Sequence, residues 1–586
     1  MKKILANLQG YYKEIVIGPL FKLLEAVLEL FVPIVVANII DKGIALGDRG
    51  YILRNGLLLF LLALLGMGTA MVCQYYAIRV SGHFGSRLRA QTYRHVLSLS
   101  GSNLTETDSA TLITLLTNDV QQIQTGVNMA IRLATRAPFL AIGSIAMALL
   151  LNLKIGLIFL VSTPMILFIL YAIMKSTLPS YEGIQKEQDK LSALASENLS
   201  GIRVIRAFGR QKQAAESVDK VSSKLTSMII RVGKISMTLN PLTTLVIHIA
   251  IAAIIFFGAR LSSLGDIAPG KIIALVSYMN QTLLALIVIA NIIVLFTRSL
   301  ASARRVAALL DMEPSIALCG KGIDGTPKGD AVAFSAVSFS YHQGAEPVLA
   351  DITFTIEAGQ TVGIIGGTGS GKSTLINLIM RYFDANKGET CIFGSDIKEY
   401  RPQALRSAIG LVPQKAVLFA GSVRYNLQMA AKAAVSDEEL WHALDVAQAS
   451  DFVKALPGGL DALIEEGGRN LSGGQRQRLT IARALAGQPK LLILDDSSSA
   501  LDYATDKALH SALMLEKARN PALTVLIISQ RTASIRHADN ILVLDKGRLT
   551  GQGTHAELLQ GNLVYREICD SQGILAGNPV GKETRQ

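Results

Sequence analysis

The sequence predicts two domains of different class: an all-α domain of six membrane-spanning helices over residues 1–310, and an α/β domain built on a P-loop over residues 330–570. Three observations predict them. Half of the 586 residues are hydrophobic and the mean hydropathy is +0.38, too apolar for an ordinary soluble chain. The apolar residues crowd into residues 15–300, while residues 330–586 have an ordinary soluble composition. Third, Gly366-Gly-Thr-Gly-Ser-Gly371-Lys372-Ser373 follows the apolar run Thr361–Ile365 and precedes the helix-like Thr374–Tyr382, which is the context a phosphate-binding loop needs.

In chain order, Met1–Val16 mixes Lys2, Lys3, Lys13 and Glu14 with Ile4, Leu5, Leu8, Tyr11 and Tyr12, and is expected to form a short amphipathic helix at the membrane surface. No small-residue cleavage site follows, so a cleaved signal peptide is not expected. Six apolar stretches, near 16–40, 54–80, 130–151, 154–177, 238–260 and 272–298, are each long enough for a hydrocarbon core of about 30 Å, which takes roughly 20 residues. Three connections are short: Asp41–Gly50, Asn152–Lys154 and Leu261–Lys271. The other two, residues 81–129 and 178–237, are long, polar and helix-like, so those helices are expected to run far into the cytoplasm. Short turns outside and long hairpins inside place both termini in the cytoplasm.

Glu25 and Glu29 lie in the first span, four residues apart and so on one helix face. A lipid-exposed carboxylate costs roughly 2.5–3.5 kcal/mol, so both are expected to face a cavity or a partner. Either they form a substrate or cation site, or they are a structural pair near one membrane surface with Lys22.

The net charge of +12 does not indicate nucleic-acid binding. The basic residues gather in the cytoplasmic connections (Arg87, Arg89 and Arg94; Arg203, Arg206, Arg210 and Lys212; Arg298, Arg304 and Arg305), as the positive-inside rule requires. No nucleic-acid recognition module is present in the pattern. The four cysteines, Cys73, Cys319, Cys391 and Cys569, are scattered, with no metal or disulfide spacing.

Residues 311–329 carry Pro and Gly without periodicity and read as a linker. From 330 the pattern is that of short strands and helices, and residues 571–586 form a polar tail. In the P-loop, Gly366, Gly367, Gly369 and Gly371, with Thr368 and Ser370, let backbone N–H groups wrap phosphates at a helix N-terminus, which continues through Thr374. Lys372 adds a cation and Ser373 a hydroxyl ligand for Mg²⁺. Leu491–Asp495 is a buried strand ending in a carboxylate suited to the hydration shell of the same Mg²⁺.

Leu471-Ser472-Gly473-Gly474-Gln475 resembles the signature motif of ABC ATPases and lies about 20 residues before Asp495, the spacing that family shows. Other pieces resemble the family in the same order. Tyr341 matches its adenine-stacking aromatic, Gln414 the loop glutamine that senses Mg²⁺ and the membrane domain, and Ser499–Asp502 its D-loop. In the membrane half, Thr117–Asp119 and Glu197–Gln211 resemble the intracellular segments of exporter-type ABC transporters. The resemblance covers nearly the whole chain. It implies an exporter-type six-helix membrane domain, ATP and Mg²⁺ as cofactors, and short coupling helices near 103–110 and 201–209. It also implies a dimer in which the P-loop of one subunit and the signature of the other sandwich each nucleotide.

Two positions depart from that family. Where it has a catalytic Glu after Asp495, this chain has Asp496, one methylene shorter; where it has a switch His, this chain has Gln530. Both changes weaken general-base chemistry, while the signature stays intact. The resemblance therefore implies the degenerate-site subunit of a heterodimeric multidrug-type exporter, with a second half-transporter as partner. A slow homodimer is the alternative. The expected activity is ATP-driven export of amphipathic small molecules, lipids or peptides. An importer of an iron chelate or haem on the same fold, and a nucleotide-sensing membrane regulator, are the competing readings. The expected location is a bacterial plasma membrane.

Overall fold

The computed structural model describes residues 1–316, 322, 323, 325, 328–342, 344–431 and 435–572; Cys319, part of the expected linker and all but the first two residues of the expected tail lie outside them. The chain divides into two compact units, Met1–Leu97 with Ser109–Glu313, and Ser98–Asp108 with Pro314–Gln586.

The first unit is all-helical. Its six spanning helices are Tyr12–Ile44, Arg49–Ser98, Ser109–Leu151, Leu153–Ser200, Gln211–Ser263 and Pro269–Asp311. Each contains one of the six apolar stretches. The second helix has 50 residues, about 75 Å at 1.5 Å per residue, more than twice the hydrocarbon thickness. The third and fourth helices are separated by Asn152 alone, whose side chain accepts from Ile155 N at 3.1 Å and so caps the fourth.

The N-terminal segment corrects one expectation. Met1–Val16 is not a single amphipathic helix. Lys2–Leu5 and Ala6–Leu8 form two short turns, and the first spanning helix starts at Tyr12. Gly10, at φ +91°, breaks the path. Ile4 is buried, Lys3 pairs with Asp311 at 2.9 Å, and Tyr11 stacks on His83 with Arg87 over its ring.

Two ionic clusters tie the spanning helices together. Lys22 pairs with Glu25 at 2.6 Å, and Arg136 pairs with Glu29 at 2.7 Å and approaches Glu25 at 3.7 Å. Arg136 stands where the third helix is interrupted at Ala134–Thr135, with Pro138 in the following turn. All four charges are matched, which is the arrangement that makes carboxylates tolerable at membrane depth. Arg136→Ala would leave Glu29 unmatched and is expected to cost about 2–4 kcal/mol, read as a lower melting midpoint in detergent. Adding Glu25→Gln and Glu29→Gln is expected to restore most of the loss. The second cluster centres on Asp119 (1% exposed) at the end of the π-helical turn Leu115–Asp119. It accepts from Ser302 Oγ at 2.8 Å and from Arg305 Nε at 2.9 Å, both on the sixth helix.

The second unit holds a four-stranded antiparallel sheet (Leu349–Ile356, Val332–Phe339, Lys387–Ile392, Ser395–Asp396) and a six-stranded, mostly parallel one. The larger sheet runs in the order Arg548–Gly553, Asn540–Asp545, Thr361–Gly366, Thr524–Ile528, Leu491–Asp495, Ile409–Val412. Its central strands read as unbroken apolar runs because both faces are covered. Leu491, Ile493, Leu526 and Ile528 enter one core, and Leu492, Leu494, Val525 and Ile527 the other. Ser98–Asp108 also belongs to this unit. A Cβ on Gly101 would stand 3.0 Å from Tyr382 O, a tight contact that the absence of a side chain there relieves.

Candidate functional site

Parallel pairing aligns the carboxyl ends of adjacent strands, and the site lies there. Ile528 is in register with both Ile364 and Asp495, so the P-loop, Asp495–Asp496 and Ser529–Gln530 all leave the sheet at one edge. Such a crevice at strand carboxyl ends is the general place for ligands on an open α/β sheet.

The cavity formed there has a volume of about 260 Å³. Thr368, Gly369, Ser370, Gly371, Lys372, Ser373, Thr374, Gln414, Asp495, Asp496 and Gln530 line it, with Val348, Ile528 and Ser529. Gly369 (φ +81°) and Gly371 (φ +100°) adopt left-handed conformations that let the loop turn into the helix Lys372–Ile379. A Cβ on Gly369 would meet no atom within 4 Å, whereas one on Gly371 would meet Leu349 Cδ2 at 2.5 Å. Lys372 Nζ donates to Gly366 O at 2.8 Å, Gly367 O at 2.7 Å and Ser370 Oγ at 3.3 Å. The helix N-terminus, the ammonium of Lys372 and the open side of Gly369 together fit a polyphosphate. A hydroxyl on Ser373 and a carboxylate on Asp495 fit a hard cation such as Mg²⁺, which takes few protein ligands.

Asp495 and Lys372 perturb one another. Burial, then the neighbouring Asp496 charge, push the Asp495 carboxyl above its ordinary value, with Lys372 opposing. Burial pushes Lys372 below its ordinary value, opposed by Asp496 and Asp495. Asp496 has a left-handed backbone (φ +46°), its N–H bonded to Ile528 O at 2.8 Å, and its Oδ2 accepts from Gln414 Nε2 at 3.4 Å.

Other candidates lie elsewhere. Tyr341 does not line the cavity; its hydroxyl is 3.1 Å from Thr374 Oγ1, and its ring meets Phe339 and Phe383 edge-on. Ser472 caps the helix Gly473–Ala486, reciprocally with Gln475, and Asp502 caps Tyr503–Arg519 by accepting from Thr505 N at 3.3 Å. Gly474 faces the D-loop, where a Cβ would stand 3.2 Å from Ala500 O. Ser472, Gly473, Gly474, Gln475 and Asp502 therefore do not join the P-loop cavity.

One residue carried no signal in the sequence. Gln572 follows the helix Leu563–Ser571, donates from Nε2 to Gln530 O at 2.7 Å and accepts at Oε1 from Thr532 N at 2.8 Å. It bridges the backbone on either side of Arg531. Gln572→Leu would remove both bonds and is expected to destabilise the ATP-binding unit by about 1–2 kcal/mol, read as a lower melting midpoint, with Gln572→Asn recovering little because it is one methylene short.

Comparison with known proteins places the whole chain. Residues 15–286 match the ABC transporter transmembrane region family and residues 349–499 the ABC transporter family. An uncharacterised ABC transporter ATP-binding protein of Mycobacterium tuberculosis is 33% identical over 578 residues, covering 97% of this chain and 98% of the relative. An ATP-dependent lipid A-core flippase of Vibrio parahaemolyticus is 28% identical over 568 residues, covering 97% of each. A structure of a bacterial Atm1-family ABC exporter with ATP bound shares the fold, with a TM-score of 0.79, 23% identity, and 97% and 99% of the two chains covered. This chain belongs to the ABC transporters: it is a multi-pass bacterial membrane protein of exporter-type fold whose cytoplasmic ATP-binding domain couples ATP hydrolysis to transport.

Proposed function

We propose that this chain is one subunit of a heterodimeric exporter of amphipathic compounds, and that the ATP site built on its own P-loop turns over slowly. One observation carries the reading: Asp496 and Gln530, the two residues that depart from the family, both line the P-loop cavity. ATP with Mg²⁺ supplies the free energy on hydrolysis. Lys372 and the helix N-terminus would hold its terminal phosphates, and Ser373, Gln414 and Asp495 would hold the metal. The carboxylate of Asp496 ends roughly 1.5 Å short of where a Glu would reach, and a base must come within about 3 Å of its proton or one water away. Gln530 can donate a hydrogen bond but cannot titrate near neutral pH.

A second subunit accounts for two further features. Ser472–Gln475 and Asp502 stand away from this chain's own cavity, ready to complete a partner's site. At the expected second coupling helix, Ile202–Ala207, the residues Leu199, Val204 and Phe208 are 72%, 61% and 75% exposed, an apolar tip that a dimer would cover. The likeness to a lipid A-core flippase supports an amphipathic, lipid-like cargo.

The test is ATPase activity of this chain with its genomic neighbour. Turnover abolished by Glu→Gln at the neighbour's base position, and barely changed by Asp496→Asn, supports the reading. A homodimer of this chain with ordinary turnover, removed by Asp496→Asn, overturns it. The raised Asp495 carboxyl adds a pH signature. Its protonation on acidification begins above the ordinary Asp range near pH 4, so Mg²⁺-dependent ATP binding is expected to weaken there. Asp495→Asn removes that dependence and tightens nothing.

A further inference from the structure

Behind the D-loop, the ATP-binding unit has a second and larger cavity, of about 830 Å³, between the helix Tyr503–Arg519, the strand Thr524–Ile528 and the segment from Arg531 to Ala538. That volume falls within the range of small-molecule sites, about 300–1,000 Å³. It shares no lining residue with the P-loop cavity.

Its chemistry is two-sided. The floor is apolar and buried, formed by Leu513, Val525 and Ile527. Four cations, Lys507, Lys517, Arg531 and Arg536, face one carboxylate, Asp506. Lys517 is committed to Asp539 at 2.8 Å. Among the described residues, Lys507, Arg531 and Arg536 form no ion pair. One polar atom in the lining is buried with no partner, Ser534 Oγ, on a residue 7% exposed, while the buried His510 Nε2 lies within ion-pair distance of Asp506 Oδ1, at 3.5 Å. Buried polar atoms are nearly always satisfied, and an orphan hydroxyl beside excess positive charge marks a place for an acceptor-rich ligand. A neutral hydrophobe would leave Ser534 Oγ unmet, and a cation would be repelled.

The cavity also touches the catalytic loops. Asp506 accepts at 2.6 Å from Ser498 Oγ, the residue just before the D-loop. Arg531 follows Gln530 directly. A ligand drawing on Lys507, Arg531 and His510 would therefore bias both loops.

We propose that this cavity is a regulatory binding site for an amphipathic organic anion, with its apolar body on the Leu513–Val525–Ile527 floor and its anionic group on Lys507, Arg531, Arg536 and Ser534. This assignment is independent of the heterodimer reading, because it concerns binding to this chain's own groove.

The test uses the full-length chain in nanodiscs, with a non-hydrolysable ATP analogue and Mg²⁺ saturating the P-loop. 1-Naphthyl phosphate is the probe, titrated by calorimetry, with 1-naphthol as the uncharged control. Saturable binding of the phosphate but not the naphthol is expected. The exposed double variant Lys507→Gln/Arg536→Gln is expected to weaken it at least tenfold with ATP-analogue affinity unchanged, and Ser534→Ala to weaken it about threefold. In the assembly that hydrolyses ATP, the probe is also expected to change turnover at least twofold with the parent chain and not with the double variant. Absence of saturable binding overturns the proposal. So do displacement by the ATP analogue, equal binding of naphthol, indifference to the double substitution, an unchanged turnover, and loss of binding when the partner subunit assembles.

Discussion

Asp496→Glu combined with Gln530→His is expected to raise ATP turnover at the site built on this chain's Lys372 by about 10²–10⁴, the usual worth of general-base catalysis. The argument is one of reach and titration. Asp496 stands at the end of the central sheet beside Gln414, with its carboxylate in the cavity. One added methylene carries the base toward the attacking water. A His at 530 replaces a fixed amide with a group that titrates near neutrality. Asp496 is held at φ +46°, a region that Asp tolerates better than Glu, so the single Asp496→Glu change is expected to lower the melting midpoint slightly while raising turnover. Opposite signs for stability and activity separate a gain in chemistry from a general improvement in folding. Single-turnover ATPase with any second site in the assembly inactivated gives the reading. A double variant no faster than the parent would show that Asp496 and Gln530 do not limit this site.

Asp119→Ala is expected to destabilise the membrane unit by about 2–3 kcal/mol. Asp119 is 1% exposed and anchors the π-helical turn Leu115–Asp119 to Ser302 and Arg305 of the sixth helix. Removing one member of a fully buried pair costs about 3–5 kcal/mol. The value here is lower because the Arg305 side chain is 57% exposed and can be solvated when released. Asp119→Asn keeps an acceptor for Ser302 and is expected to lose less. Because a two-unit chain need not melt in one step, the check is the first transition in detergent, with the ATP-bound midpoint as internal reference. An unchanged first transition for Asp119→Ala would remove the ion pair from the account of how these helices are held.

Much of this was legible because it depends on local pattern. Six apolar stretches give six spanning helices, since a bilayer leaves the backbone few other options. The alternation of Leu491–Leu494 between two cores follows from strand period two. The residues Lys372, Ser373, Gln414, Asp495, Asp496 and Gln530, scattered over about 160 positions, line one cavity because parallel pairing aligns strand ends. The N-terminal segment was misjudged because its alternating charges and apolar residues suit an amphipathic helix, whereas Gly10 and the contacts of Ile4, Tyr11 and Lys3 fold it back. Gln572 was illegible, since a polar residue after a short helix has no distinguishing pattern.

The sequence by itself determined the number of spans, the class of both domains, the phosphate-binding chemistry and the family, because hydrophobic length and motif spacing are local properties of the chain. Only the tertiary structure decided which charges meet across the helices (Arg136 with Glu29, Arg305 with Asp119), that Gln572 bridges the backbone on either side of Arg531, and that Lys507, Arg531 and His510 share a groove. Apart from Lys507 and His510, which share one helix, those meetings join residues 21–186 positions apart, and nothing in local periodicity or propensity specifies such pairings; they follow from how whole helices and strands pack.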